Sequence, residues 1–95
     1  MREPLTIEDF SPHIGRVFSV AGREDRLTLV ATENGRAPRG SARQPFILFF
    51  QSPRDRLLPE GAYTVEAEDS GPFDLYIIPI ITPPGAEQDY QVIFN

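Results

Sequence analysis

From Val17 onward, apolar residues recur at every second position in short runs bounded by glycine, proline, asparagine or aspartate. That alternation suits a pleated strand with one face in and one face out, and it conflicts with the 3.6-residue period of a helix. Val17, Phe18 and Val20 form a first strand, and Leu27, Leu29 and Ala31 a second. PFILFFQ, from Pro45 to Gln51, is the third. In the fourth, opened by Gly61, Tyr63, Val65 and Ala67 share one face while Thr64, Glu66 and Glu68 share the other. Phe73 to Ile81 is the fifth strand and Tyr90 to Phe94 the sixth.

The connections decide how these strands pair. Ala21–Asp25, Asp69–Pro72 and Thr82–Glu87 are too short for a parallel crossover, so they predict antiparallel neighbours. Glu33 to Gln44 and Ser52 to Glu60 lack apolar periodicity and predict irregular links. Seven glycines and ten prolines make up nearly a fifth of the 95 residues, against roughly 12% in average usage, as many tight turns require. Ahead of the strands, Thr6 is a candidate N-cap for a short helix over Ile7–Phe10, which Pro12 ends near Ser11. On such a helix Phe10 and Ile14, four residues apart, both point at the core. The expectation is a single domain over residues 1–95, all-β and mainly antiparallel: a small six-stranded barrel or curled sheet, with the N-terminal helix plugging one open end. A barrel is favoured because closure removes exposed sheet edges.

Two strands break the inside/outside rule. In the third, Phe46, Leu48 and Phe50 lie on one face, yet Ile47 and Phe49 occupy the other. In the fifth, Phe73, Leu75 and Ile77 alternate with Tyr76, Ile78 and Ile80. A barrel buries only its inner face, so the second set needs a cover. Either the N-terminal helix and long loops supply it, or another protein does, through a partner contact or self-association. Pro79 bears on this choice, since it cannot donate to a ladder and belongs at an edge or a bulge.

Several strings in order carry a family resemblance: LTIEDFSPHIG from Leu5, PFILFFQSP from Pro45, LLPEGAY from Leu57, YIIP at Tyr76 and YQVIFN from Tyr90. Together they resemble a group of small bacterial proteins that share a domain of unknown function, over Leu5 to Asn95. Gln51-Ser52 and Glu68-Asp69 depart from that group's pattern. The resemblance brings no catalytic signature. It implies a part in larger assemblies, since some members are encoded near phage-tail-collar-like fibre proteins.

Little in the chain suggests catalysis. Without cysteine there is no thiolate nucleophile, metal thiolate or disulfide. His13 is the one histidine, and no phosphate loop, nucleophile elbow or Ser/His/Asp arrangement occurs. Glu66 and Glu68, neighbours on one strand face next to Asp69, are the only candidate acid/base group. The expectation is therefore a non-enzyme without cofactor or metal site. A net charge of −5 disfavours nucleic acid. No apolar run reaches the roughly 18 residues of a membrane helix. MREPLTIEDF lacks the apolar stretch of a secretory signal, so a cytoplasmic location is expected. All nine basic residues are arginine, through coding bias or for bidentate contacts. Arg36, Arg39 and Arg43 form a candidate anion or partner contact on the long loop. A structural or accessory protein acting through Tyr76, Ile78, Ile80, Ile47 and Phe49 is the leading functional expectation. The alternative is a small-molecule-binding barrel using a mouth near Phe10, Tyr63 and Tyr90.

Overall fold

The computed structural model describes residues 5–37, 39–40 and 44–94. The period-two pattern is realised in six strands: β1 (Val17–Val20), β2 (Arg26–Asn34), β3 (Phe46–Pro53), β4 (Gly61–Ala67), β5 (Ser70–Pro79) and β6 (Glu87–Phe94). All neighbours are antiparallel, in the order β1-β2-β3-β6-β5-β4, and β4 returns to β1 through Phe18↔Ala67 and Val20↔Val65. The sheet is a closed barrel, which decides against the curled open sheet. Each half of the chain is a three-stranded meander. The link after Pro53 carries the chain from β3 across one end of the barrel to β4.

The inward positions are those the alternation marks. Phe46, Leu48 and Phe50 of β3, Val65 and Ala67 of β4, and Phe73, Leu75 and Ile77 of β5 are all buried. They meet Phe18, Val20, Leu27, Leu29, Tyr90 and Val92 in one cluster. Each fully buried large side chain contributes roughly 1.5–3 kcal/mol of transfer free energy, which makes this interior the main support of so small a domain. One inward assignment changes. Between Leu29 and Ala31 the register with β3 shifts by a β-bulge, so Ala31 lies opposite Phe49 on the outside rather than with Leu27 and Leu29.

Both ends of the barrel are stoppered. At one end two consecutive 3-10 turns, Ile7–Asp9 and Ser11–His13, stand where the sequence predicts one helix ending near Ser11. Pro12 fits because the first positions of a turn need no amide donor. The Asp9 carboxylate reaches back to accept from the Thr6 amide at 2.7 Å. Phe10 is fully buried, with ring centroids 6.1, 4.8 and 5.8 Å from Phe46, Phe73 and Phe94. It fills the place where β5 and β6 lose their ladder, which pairs only Ile78↔Gln91 and Pro79↔Tyr90. Ile14, by contrast, is exposed. A 3-10 turn has three residues rather than 3.6, so positions four apart do not share a face.

At the opposite end Leu58 is fully buried beneath the β3–β4 link. There the Tyr90 hydroxyl shares a 2.7 Å hydrogen bond with Ser52 Oγ and accepts the Leu58 amide at 2.9 Å. Those bonds satisfy the polar groups that this stopper buries.

Candidate functional site

The closed barrel divides its outside into two unlike halves. On one half β3, β6 and β5 set their outward residues in rows. Ile47 is level with Ile93, and Phe49 with Gln91, across the β3–β6 ladder. Gln91 in turn pairs with Ile78 of β5, and Ala31 lies beside Phe49 on the β2 side. The centre of this half is therefore Ala31, Ile47, Phe49, Gln91, Ile93 and Ile78, without a charge among them. Ile93 is 46% exposed and Tyr76 53%, while Ile47, Phe49, Ile78 and Ile80 are half-buried among their neighbours.

Among the described residues, the N-terminal turns are not the cover. They lie against β2, and Phe10 goes into the barrel end. Pro79 lies beyond the last pair of β5 with β4, Gly61↔Ile77. It is thus a local edge, tolerated because β4 has not yet begun on that side. Just past it, Ile81 is wholly exposed on the turn to β6. That turn is held firmly. Arg54 Nη2 donates to the Thr82 carbonyl at 3.0 Å and Gln88 Nε2 to the Ile80 carbonyl at 2.9 Å. The Asp89 amide closes it on Thr82 Oγ1 at 3.0 Å.

Tyr76 sits at the margin of this half. Its hydroxyl donates to the Glu60 carboxylate at 2.7 Å. That hydrogen bond, then loss of water, then the nearby negative charge raise the Tyr76 phenol above its ordinary value.

The other half, over β1, β4 and the start of β2, is polar. Thr64 Oγ1 donates to Asp74 Oδ1 at 2.7 Å, and Ser19 Oγ to the Glu66 carbonyl at 3.3 Å. A shallow depression of about 370 Å³ opens here, lined by Val17, Ser19, Arg26, Glu66, Ala67, Glu68 and Asp69. It brings together the three acids singled out from the sequence, with Arg26 beside them. Among the described residues no group of three or more His, Cys, Asp or Glu side chains is arranged to hold a metal ion.

The remaining sequence candidates do not converge. Arg36 and Arg39 are exposed on the loop after β2, without an ion pair among the described residues. Arg43 lies outside the described residues. The neck of that loop closes at the Gly35 amide on the Pro45 carbonyl, 2.8 Å. Phe10 and Tyr90 do not share a mouth: both are fully buried, in opposite stoppers. Tyr63 is half-buried near the Tyr90 end, its hydroxyl donating to the Pro59 carbonyl at 2.6 Å. His13 is half-buried edge-on to Phe18, with Nδ1 enclosed and unpartnered.

Sequence reasoning missed Ile93 and Val30. The signal for Ile93 was present, since Val92, Ile93 and Phe94 are apolar in succession and so must occupy both faces. Val30 is the bulge residue, and a bulge leaves no mark in an alternation pattern.

The sequence matches, over residues 5–94, the family described as Domain of unknown function (DUF6916). No curated protein and no solved structure matches it.

Proposed function

The chain belongs to the DUF6916 family, and for this member we propose a non-enzymatic structural or accessory role, exercised through protein–protein contacts of the outer β3–β6–β5 face. One observation carries the proposal. Ile47, Phe49, Ile78 and Ile93 form an uncharged outward patch, and among the described residues the N-terminal turns that could have covered it place Phe10 in the barrel end instead. A contiguous apolar surface on an otherwise charged small domain is a usual mark of a docking site. Tyr76 and Ile80 extend it along β5, and Ile81 stands at its end. The proposed partner is a protein rather than nucleic acid or a membrane, and the proposed setting is a cytoplasmic, larger bacterial assembly of the phage-tail-like kind that the resemblance implies.

The other readings have less support. A small-molecule site in the barrel mouth loses its geometry when Phe10 and Tyr90 stopper opposite ends. Acid/base chemistry at Glu66, Glu68 and Asp69 has a depression without a histidine in its lining, and the one hydroxyl there, Ser19 Oγ, donates to the Glu66 carbonyl rather than to a carboxylate.

The test is a photo-reactive amino acid placed at Ile93, and separately at Thr64, in cells that naturally make the protein. Discrete cross-linked products from Ile93 with none from Thr64 are expected. Equal products from both positions, or none from Ile93, overturn the reading.

A further inference from the structure

We infer that the seam between β5 and β6 takes an extended segment of the partner protein as an added strand, one in which small residues alternate with branched apolar ones. The inference rests on the reading of the β3–β6–β5 face as a contact surface and adds the conformation of what it meets.

The barrel closes unevenly. β6 pairs with β3 along its whole length and β5 with β4 from Ser70 to Ile77, yet β5 and β6 pair only at Ile78↔Gln91 and Pro79↔Tyr90. The Thr64 carbonyl accepts from the Ala21 amide and so points away from β5, which means that Asp74, opposite Thr64, points away from β4. By the same alternation Tyr76 turns its amide and carbonyl to the seam. On the far side the Asp89 carbonyl accepts the Ile80 amide across the seam, and Ile93, four residues on, turns the same way. Among the described residues, no hydrogen bond joins the main-chain groups of Asp74, Tyr76 or Ile93 to the opposite strand. All three residues are exposed.

An open edge left to water is ordinarily blunted by charge, proline or a bulge. Pro72 does so at one end. Over residues 73–77 of β5 and 92–94 of β6 the one charge is Asp74, and its carboxylate is held toward β4 by Thr64 Oγ1 at 2.7 Å. The seam is also continuous with the apolar face, since Tyr76 and Ile93 flank it.

Its width identifies the occupant. Phe10 separates the strands from inside, its ring 4.8 Å from that of Phe73 on β5 and 5.8 Å from that of Phe94 on β6. The gap at that level is on the order of two strand spacings of about 4.8 Å each, which is room for one strand. A strand entering there needs both edges bare. All six strands of the folded chain have neighbours on both sides, so those of a second copy do not fit. An extended tail or loop of another protein does, as in strand addition at open sheet edges. Its inward side chains meet the fully buried Phe10 and must be small. Its outward ones lie between Tyr76 and Ile93 and extend the apolar patch.

A short labelled peptide alternating Val and Ser is the probe, with one analogue N-methylated at the Val amides and another at the Ser amides. The parent peptide is expected to bind, and each analogue to bind about tenfold more weakly or worse, because each loses main-chain donors on one side. Exchange of the Asp74, Tyr76 and Ile93 amides should be fast in the free protein and slow about tenfold or more at saturation. Tyr76→Pro removes a seam amide that β4 does not use, and should bind the parent more weakly than Tyr76→Ala does. If the proline variant does not fold, the N-methylated analogues carry the test on the wild type. No binding of the parent, equal binding of the analogues, unchanged amide exchange, or wild-type self-association that protects the same amides overturns the inference. Cross-links from Ile93 alongside such a result would leave the face a contact surface without strand addition, whereas their absence removes the contact surface itself.

Discussion

The two outer halves of this barrel rest on the same interior yet are built from different residues. Over β1 and β4, outward positions are Val17, Ser19, Ala62, Thr64 and Glu66, with Glu68 just past β4, a mostly polar set as expected where a sheet meets water on one side. Over β3, β6 and β5 they include Ile47, Phe49, Ile93, Ile78 and Tyr76, with Gln51, Asp74, Asp89 and Gln91 among them. Neither set is needed to fill the core, because buried side chains and two stoppers already do so. The difference teaches that apolar outward residues here are in excess of what folding requires. Excess apolar surface costs solubility, and contact with another molecule is the proposed reason for its retention on one half.

The comparison is broken most severely from inside. Phe10→Ala removes the stopper at the end where the β5–β6 ladder stops, and should cost about 3–5 kcal/mol. Urea unfolding should record it, with both halves lost in one transition. A loss below about 1 kcal/mol would mean that the ladder, not Phe10, closes that end.

Smaller effects sharpen the contrast. Glu66→Gln with Glu68→Gln, on the polar half, should move stability by about 0.5 kcal/mol or less, as ordinary surface sites do. Cross-linking from Ile93 should be unaffected. Changing Arg36, Arg39 and Arg43 to Ser should also stay within about 0.5 kcal/mol in thermal unfolding. Loss of the Ile93 cross-link in that variant would assign the long loop a share of the contact.

The smallest effect concerns Tyr76. Its phenol is raised by the bond to Glu60, so ultraviolet titration of wild type against Tyr76→Phe should place it above the ordinary tyrosine value. Glu60→Gln should bring it down. A phenol raised in the folded state stabilises the fold below its unfolded-state value, and that contribution fades as pH climbs through the folded-state value. The effect therefore lies wholly on the alkaline side.

Much of this was legible in the sequence because a strand's period of two is rigid. Phe46, Leu48 and Phe50 pointed inward, and Ile47 and Phe49 outward, as read. The short turns also fixed antiparallel neighbours correctly. What failed depended on geometry that changes the period. The 3-10 turns turned Ile14 out, and the bulge at Val30 moved Ala31 to the other face. By sequence alone, Phe10, on the expected N-terminal helix, and Tyr90, opening the sixth strand, share one expected barrel mouth. Only the order in which six strands close places them in opposite stoppers.

The central claim is that the outward apolar residues serve contact and not the fold. Val92 and Ile93 are neighbours on β6, one 2% exposed and the other 46%. Equilibrium denaturation of Val92→Asp beside Ile93→Asp tests the claim most directly. Val92→Asp buries an unpartnered carboxyl and should cost about 4 kcal/mol or more, a large share of the roughly 5–15 kcal/mol that hold a domain of this kind. Ile93→Asp should keep the wild-type midpoint to within about 1 kcal/mol. A midpoint for Ile93→Asp that falls with that of Val92→Asp would place Ile93 in the core and contradict the account.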